Sequence, residues 1–312
     1  MRVTKVVVTK EDTALSVLKE LKAGKNSGEE IASQLGISRT AVWKAVEKLR
    51  KAGYEINAKK KIGYVLVSSP DFSAYEVADI CFENGVDEVH HYTTVDSTNE
   101  RAKEKAGIVV IADEQTAGKG RLGRKWYSDK GGLYFSISLH PRLPMDDLPK
   151  ITLTAGVAVC EALSFANARL KWPNDVLIGK KKVAGVLCEV FGEADIPSVV
   201  VGIGINVTNP IPEEIENIAT NLSSFNVSRK EIFIDVIRNF FSLYRKLPER
   251  WEEVRLRWKE LSDTLEKEVE VRIADRTYKG VAVDIDDSGA LILVSDGRVE
   301  RVFSGECFYL VG

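Results

Sequence analysis

The chain is short of the residues that build covalent staples and membrane spans. Its 312 residues include four cysteines, three histidines, two methionines and nine prolines. Cys81, Cys160, Cys188 and Cys307 lie far apart, with no CxxC and no histidine at ligand spacing. That argues against a zinc site and against a secreted disulfide framework. The longest unbroken apolar stretches, such as Val199 to Ile205, are far too short to span a bilayer. The opening MRVTKVVVTKEDTALS lacks the apolar core of a signal peptide, so a cytoplasmic protein with no membrane role is expected. Nine prolines and 23 glycines exclude collagen-like or proline-rich disorder. GxxxxGK[ST] is absent too, which excludes a P-loop nucleotidase.

What is present is ordinary globular composition, 44% hydrophobic and 29% charged, in a length that suits about two domains or more if they are small. The net charge of −2 hides a split. Residues 1–67 hold 14 Lys+Arg against 7 Asp+Glu, and the remainder 30 against 39. A basic head on an acidic body implies that the head alone meets a polyanion.

Periodicity divides the chain in three. In the head, helical spacing at 13–23 and 29–35 precedes the turn Gly36-Ile37-Ser38, with Ser38 a cap for a third helix over 39–52. Tyr54 to Ile56 and Tyr64 to Val67 then read as a hairpin around Lys59-Lys60-Lys61. Helix, helix, turn, helix, hairpin is the plan of a winged helix-turn-helix. Its DNA contacts fall to Ser38, Arg39, Thr40, Trp43 and Lys44 at the third helix, with Lys59, Lys60 and Lys61 gripping flanking phosphates. Trp43 serves equally well as a packing residue. A winged helix that binds protein, its lysines solvating a surface, is the bland alternative that charge alone leaves open.

The body, 68–265, has strands expected at 108–112, 133–139, 176–178, 183–190 and 198–207, and helices at 97–106, 150–166, 228–247 and 249–261. The two kinds do not alternate strictly, so an α+β mixed sheet is expected rather than a doubly wound parallel one. From 266 to 312, short alternating strands with Asp287-Ser288-Gly289 and Asp296-Gly297 as turns predict a small SH3-like β-barrel.

Gly118-Lys119-Gly120-Arg121-Leu122-Gly123 matches GxGxxG literally, yet no strand ends at its first glycine and no helix opens after its last, so a dinucleotide site is rejected. A loop of three glycines with Lys119, Arg121, Arg124 and Lys125 suits a phosphorylated ligand instead. Further along stand Asp96-Ser97-Thr98-Asn99, Gln115, Lys171-Trp172-Pro173-Asn174-Asp175, Lys182-Val183-Ala184-Gly185 and Gly202-Ile203-Gly204-Ile205-Asn206. The elements GKGRLGRKW, KWPNDVLI, KVAGVL and GIGINV, in this order, resemble the biotin protein ligases. With head and barrel counted, the whole chain is similar to the bifunctional form that is both ligase and biotin operon repressor.

The resemblance implies that biotin and ATP with Mg²⁺ give biotinyl-5′-AMP, which a lysine of a biotin carboxyl carrier protein attacks to form an amide. It implies catalytic roles for Lys182, Arg121 and Asp175. Lys182 would hold the biotin carboxylate and α-phosphate as charge develops, and Arg121 would hold the adenylate. Biotin would be bound by Ser97, Thr98, Asn99, Gln115, Gly118, Lys119, Gly120 and Gly185, and the adenylate by Arg124, Trp126, Asn174 and Asn206 besides Arg121 and Lys182. The family usually has arginine where Lys119 stands, which removes a bidentate fork. Asn174 and Asp175 would serve the adenylate, the metal or the incoming lysine, and the metal's ligands stay unassigned. The adenylate would also act as corepressor, favouring a homodimer whose paired heads read a two-fold operator.

Bland readings accompany several of these residues. Ser97-Thr98-Asn99-Glu100 is also a capping box. Lys182 is one of the run Lys180-Lys181-Lys182, and Trp126 could be a core residue. His90 and His91, adjacent on a strand, face opposite ways. Cys188 reads as core rather than nucleophile. Three rival functions stay open: a lipoate ligase, disfavoured by the glycine loop and basic head; a biotin sensor without ligase activity, disfavoured by the presence of Lys182 and Arg121; and a ligase whose head is only structural.

Overall fold

The computed structural model describes residues 5–310, apart from 142 and 193–197. It begins with a strand that the sequence reading did not anticipate. β1 (Lys5–Thr9), with three consecutive valines suited to a pleated surface, pairs with a strand of the body. Only then does the head begin. Asp12 accepts a hydrogen bond from the Ala14 amide and starts α1 (Thr13–Lys22). α2 (Gly28–Leu35) closes on Gly36 in the left-handed region at φ 64°. Ser38 then accepts from the Ala41 amide at 3.1 Å and opens α3 (Arg39–Lys51). Val42, Ala45, Val46 and Leu49 are the buried stripe of α3. β2 (Glu55–Lys59) and β3 (Gly63–Ser68) form the wing hairpin, with lysines 59 to 61 exposed at its tip.

Two more unanticipated elements lead into the body: α4 (Ala74–Glu83) and β4 (Glu88–Tyr92). The helix expected over 97–106 is only α5 (Thr98–Ala102). It stops because the sheet captures the chain: the Asp87 amide donates to the Gly107 carbonyl and the Gly107 amide to that of Ser138, which launches β5 (Ile108–Ala112) parallel to β4. Then follow β6 (Leu133–Leu139), α6 (Leu148–Ala162), β7 (Arg169–Lys171), β8 (Asp175–Ile178), β9 (Lys181–Phe191), β10 (Ser198–Ile205), α7 (Arg229–Tyr244) and α8 (Trp251–Leu261). The eight strands lie in the order β1-β4-β5-β6-β10-β9-β8-β7, with β4–β5 the one parallel pair.

Alternation along the strands sorts the two faces of this sheet. Val109, Ile111, Phe135, Ile137, Val201, Ile203 and Ile205 join one core with Val157, Phe233, Val236 and Phe240 from α6 and α7. Ile108, Val110, Ala112 and Val200 point the other way, to Ala102 of α5. On that second face the strands also carry Ser136, Gly202 and Gly204, small residues that leave space. The site lies there.

The C-terminal unit is an antiparallel ladder of β11 (Glu268–Ile273), β12 (Arg276–Ile285), β13 (Leu291–Ser295), β14 (Arg298–Val302) and β15 (Glu306–Tyr309). Its order is β14-β13-β12-β11-β15. β15 is a fifth strand beyond the four that the sequence suggested, and β14 and β15 are the edges of the ladder.

Candidate active site

A cavity of about 490 Å³ opens on the α5 face of the sheet, within the size range of small-molecule sites. Its floor is made where Gly185 of β9 stands opposite Gly204 of β10. The Trp126 indole lies against this pair. A Cβ on Gly204 would fall 2.5 Å from Trp126 Nε1, and one on Gly185 would fall 3.3 Å from the ring and 3.0 Å from Lys182. Two facing glycines are thus what lets a flat aromatic rest on backbone. Gly202, beside them, gives room to Asn99, whose Oδ1 would meet a Cβ there at 2.0 Å.

Lys182 is fixed from both sides. Its amide donates to the Ile218 carbonyl and its carbonyl accepts from the Thr220 amide. A register shift between β8 and β9 sets it opposite Leu177, and its ammonium reaches Asp175 Oδ1 at 2.6 Å. The same ammonium stands 5.1 Å from the Trp126 ring centroid. Lys181 instead donates to the Glu216 carbonyl, away from this cluster. The run of three lysines is therefore divided by geometry.

The glycine loop is a tight excursion. Its base is closed by a Lys119–Lys125 bridge and by the Trp126 amide donating to the Gly118 carbonyl. The Gly120 amide donates to the Arg124 carbonyl at 2.7 Å. Leu122 at the tip has φ 56° and is 76% exposed, a left-handed conformation that costs a non-glycine residue roughly 1–2 kcal/mol. No α-helix follows the loop, as the rejection of a dinucleotide site requires. Four cations of the loop, Lys119, Arg121, Arg124 and Lys125, line the cavity. Lys119 lies 3.3 Å from Glu100, and Arg124 pairs with Glu306 of β15. Burial pulls the Arg121 guanidinium below its ordinary range, with Asp175 and Glu306 opposing the shift and Arg124 adding to it. Arginine stays charged regardless, so the site holds a half-buried positive charge suited to an anion.

The residues on the α5 side of the cavity are wired together. The Gln115 carbonyl oxygen accepts from both the Thr98 amide and the Thr98 hydroxyl, at 2.8 and 3.1 Å, while its Nε2 donates to Ser128. Gln115 therefore caps α5 from across the chain. The local capping box does not form: Ser97 makes no side-chain cap bond, and Glu100 turns to Lys119 and Lys103. Helix α5 has too few turns, and two lysines outcompete the Ser97 amide for the carboxylate; that amide donates to Asp96 instead.

Fourteen of the expected site positions line the cavity: Ser97, Thr98, Asn99 and Gln115 on one side; Lys119, Gly120, Arg121, Arg124 and Trp126 along the loop; Asn174, Asp175, Lys182, Gly185 and Asn206 across the floor. Gly118 lies behind the lining, where a Cβ would strike Ser128 and the Trp126 carbonyl. Three asparagines have their side chains committed to the protein. Asn99 accepts from Ser136 and donates to Glu189; Asn174 donates to the Val186 carbonyl; Asn206 donates to the Thr220 carbonyl and accepts from Asn209. They frame the cavity. Trp126 Nε1, by contrast, is buried with no partner. It faces the glycine floor, where a Cβ on Gly204 would crowd it.

The sequence reading missed two walls. One is 209–219, docked through the Lys182 backbone, with Tyr127 bonded to Glu214. The other is Gly305 to Tyr309 of the C-terminal unit. No local signal marks either, because both act through contacts made far along the chain. Outside the cavity, His90 reaches Glu88 and His91 reaches Asp113, parting as alternate strand residues must. Burial pushes the Cys188 thiol up to about 12, too high for a nucleophile at neutral pH. At the head, Arg39, Thr40 and Lys44 are exposed and Trp43 is half exposed, whereas the Ser38 hydroxyl is engaged in its cap.

A helix-turn-helix head joined to a cation-lined, glycine-floored cavity defines a protein of two parts, one shaped for nucleic acid and one for an anionic small molecule. Comparison with known proteins gives the family. Residues 89–206 match the biotin/lipoate A/B protein ligase family, 13–65 an HTH domain, and 264–310 the biotin protein ligase C-terminal domain. The chain is 35% identical over 300 residues to the bifunctional ligase/repressor BirA of Bacillus subtilis, covering 90% of this chain and 92% of that one. It is 30% identical over 301 residues to its Escherichia coli counterpart, with the same coverage. The biotin protein ligase of Aquifex aeolicus, solved with biotin and ATP, superposes with a TM-score of 0.64 at 35% identity, over 72% of this chain and 99% of that one. The chain belongs to the biotin protein ligase family, in its helix-turn-helix-bearing form.

Proposed function

We propose that this protein activates biotin with ATP and transfers it to a carrier-protein lysine, and that its head couples the same ligand to DNA. It is a ligase of the biotin–protein class. The observation that carries the chemistry is the convergence of Lys182, Arg121, Lys119 and Trp126 around one glycine-floored cavity. A carboxylate is a poor electrophile; adenylation supplies its leaving group, and the mixed anhydride must then be shielded until an amine arrives. Lys182, oriented by Asp175, is the fixed charge for the biotin carboxylate and α-phosphate as charge builds on them. Asp175 acts by positioning. Arg121 neutralises the adenylate phosphate, Lys119 assists it, and the Trp126 indole covers the adenine. Arg124, held by Glu306, orders the loop. Ser97, Thr98 and Gln115 meet biotin, and Asn99, Asn174 and Asn206 keep the cavity in shape. Mg²⁺ arrives with the ATP phosphates, its usual manner of binding.

The partners that fit are a biotin carboxyl carrier protein and operator DNA. Arg39, Thr40, Trp43 and Lys44 are the base-facing candidates of α3, Ser38 sets its start, and Lys59 to Lys61 meet phosphate. A homodimer fits a two-fold operator. The working units are a head ending near 67, a ligase body to 265 and a C-terminal unit to 312, with β1 lent to the body. Among the described residues no helix is long and apolar enough to cross a membrane, and the proposed workplace is the cytoplasm, beside carrier protein and DNA.

The test is intact-mass spectrometry of a biotin carboxyl carrier domain incubated with this protein, biotin and Mg-ATP. A biotin-sized gain that needs ATP and collapses in Lys182→Ala is expected. No gain on an acceptor known to be competent sinks the ligase reading, and a gain with lipoate in place of biotin reassigns the substrate.

A further inference from the structure

The departure at Lys119 has a counterpart in space. Its ammonium lies 3.3 Å from Glu100 Oε1, and Glu100 belongs to α5, the helix that presents Ser97 and Thr98 to the cavity. Glu100 is itself held from behind. Lys103 reaches the same carboxylate oxygen at 3.3 Å, and Lys103 is anchored at 3.0 Å by Glu189 of β9. Glu189 in turn accepts from Asn99 at 2.6 Å. A chain of alternating charge therefore runs from the sheet to the lip of the cavity and ends on the loop cation. Glu100 is drawn two ways, burial pushing its carboxyl up and the two lysines more than offsetting that, so it stays ionised.

Lys119 lines the cavity and Glu100 does not. An ammonium is a single point charge on a flexible stem, without the rigid fork by which arginine serves two anions on separate edges. The charge that Lys119 offers to a ligand is then the charge that Glu100 already holds. Side-chain exposures of 54% for Lys119 and 39% for Glu100 keep that pair weak and exchangeable.

We propose that Glu100 is a positioning residue that competes with the anionic ligand for Lys119, so that binding exchanges one ion pair for another and the adenylate is held less tightly than the loop's cations alone would hold it. The inference rests on the ligase reading and deepens it, by naming what sets ligand retention in this chain. Neutralising Glu100 without changing its size frees Lys119 for the ligand.

The experiment measures dissociation of radiolabelled biotinyl-5′-AMP, made in place from biotin and ATP, from wild type, Glu100→Gln, Lys119→Ala and the double variant. Glu100→Gln is expected to slow release about 2- to 5-fold, the range an exposed ion pair supports. KM for biotin should fall alongside, with the effect on release and KM rather than on the transfer step. In the Lys119→Ala background the effect of Glu100→Gln should vanish, since the cycle isolates the pair. A purely structural role for Glu100 would persist in that background. If wild type forms no adenylate, the ligase reading fails and takes this one with it. If adenylate forms and Glu100→Gln leaves release unchanged or faster, or acts equally without Lys119, this inference alone is overturned.

Discussion

The two small units attach to the body in opposite ways. The segment just ahead of the head gives the body a strand, and the head stays away from the cavity. β1 adds to the sheet edge beside β4, and the contacts behind it are side-chain pairs: Lys19 to Asp79 at 2.6 Å, Lys22 to Glu76 at 2.7 Å, and Tyr54 to Glu76 at 2.9 Å. The C-terminal unit gives the sheet no strand but supplies a wall of the cavity, Gly305 to Tyr309, with Glu306 on the glycine-loop Arg124. Its seat is Trp172, beside the Asn174-Asp175 motif, whose amide donates to Thr264 and whose indole donates to the Gly289 carbonyl. One unit is joined to the scaffold, the other to the chemistry. The head is expected to sense the site through the sheet, and the C-terminal unit to act on it directly.

Four measurements sharpen or break this contrast. The largest effect belongs to the body: Lys182→Ala should slow adenylate formation by about 10²–10³-fold, as loss of an electrostatic stabiliser does, measured by pyrophosphate release. Next, Trp172→Ala should cost roughly 3–5 kcal/mol, since a large buried aromatic and its indole hydrogen bond go together while the backbone amide keeps Thr264; denaturant unfolding reads it, and adenylation should fall with it because the C-terminal wall loses its seat. A smaller change in folding free energy, with adenylation intact, would break the claim that this unit is wired to the site. Third, replacing Lys59, Lys60 and Lys61 by alanine should weaken DNA binding and flatten its salt dependence by about 0.9 in log–log slope for each phosphate no longer neutralised, read by fluorescence anisotropy.

The smallest effect is at the head's seat. Burial pushes the Glu76 carboxyl up, but Lys22, Tyr54 and Lys230 more than offset this and hold it below its ordinary value. A depressed carboxylate contributes stability that is present above its unfolded pKa and lost as pH falls through the folded one. The head–body junction should therefore loosen only below the usual carboxylate range. In Glu76→Gln that step should be missing from the acid limb of the thermal-stability profile.

The sequence shows most clearly what is local. The head's helices were legible because caps, turn glycine and apolar stripe lie within a few residues of one another, and the cavity's cations were legible because each sits in a motif. β1, α4 and β4 were not. Val6 to Val8 look like any short apolar run, and the partner strand, EVHHY, carries two histidines and a glutamate whose burial depends on neighbours far along the chain. The length of α5 was misjudged for the same reason, because the sheet and not the helix decides where it ends. Glu100 looked like a capping residue by spacing and became an ion-pair partner by packing. The C-terminal wall rests on a four-residue strand, ECFY, whose role exists only once the body has folded against it.

β1 also has a history to survive before it has a partner. It leaves the ribosome well before its partner, since β4 follows only after about 80 further residues, on the order of 4–16 s at ~5–20 residues per second. During that interval the three valines form an unpaired strand edge, the kind of segment that seeks other chains. The head's helices are made meanwhile, from contacts close in sequence and quick to form. The nascent protein thus completes its reader of DNA while the first strand of its enzyme still waits to be placed.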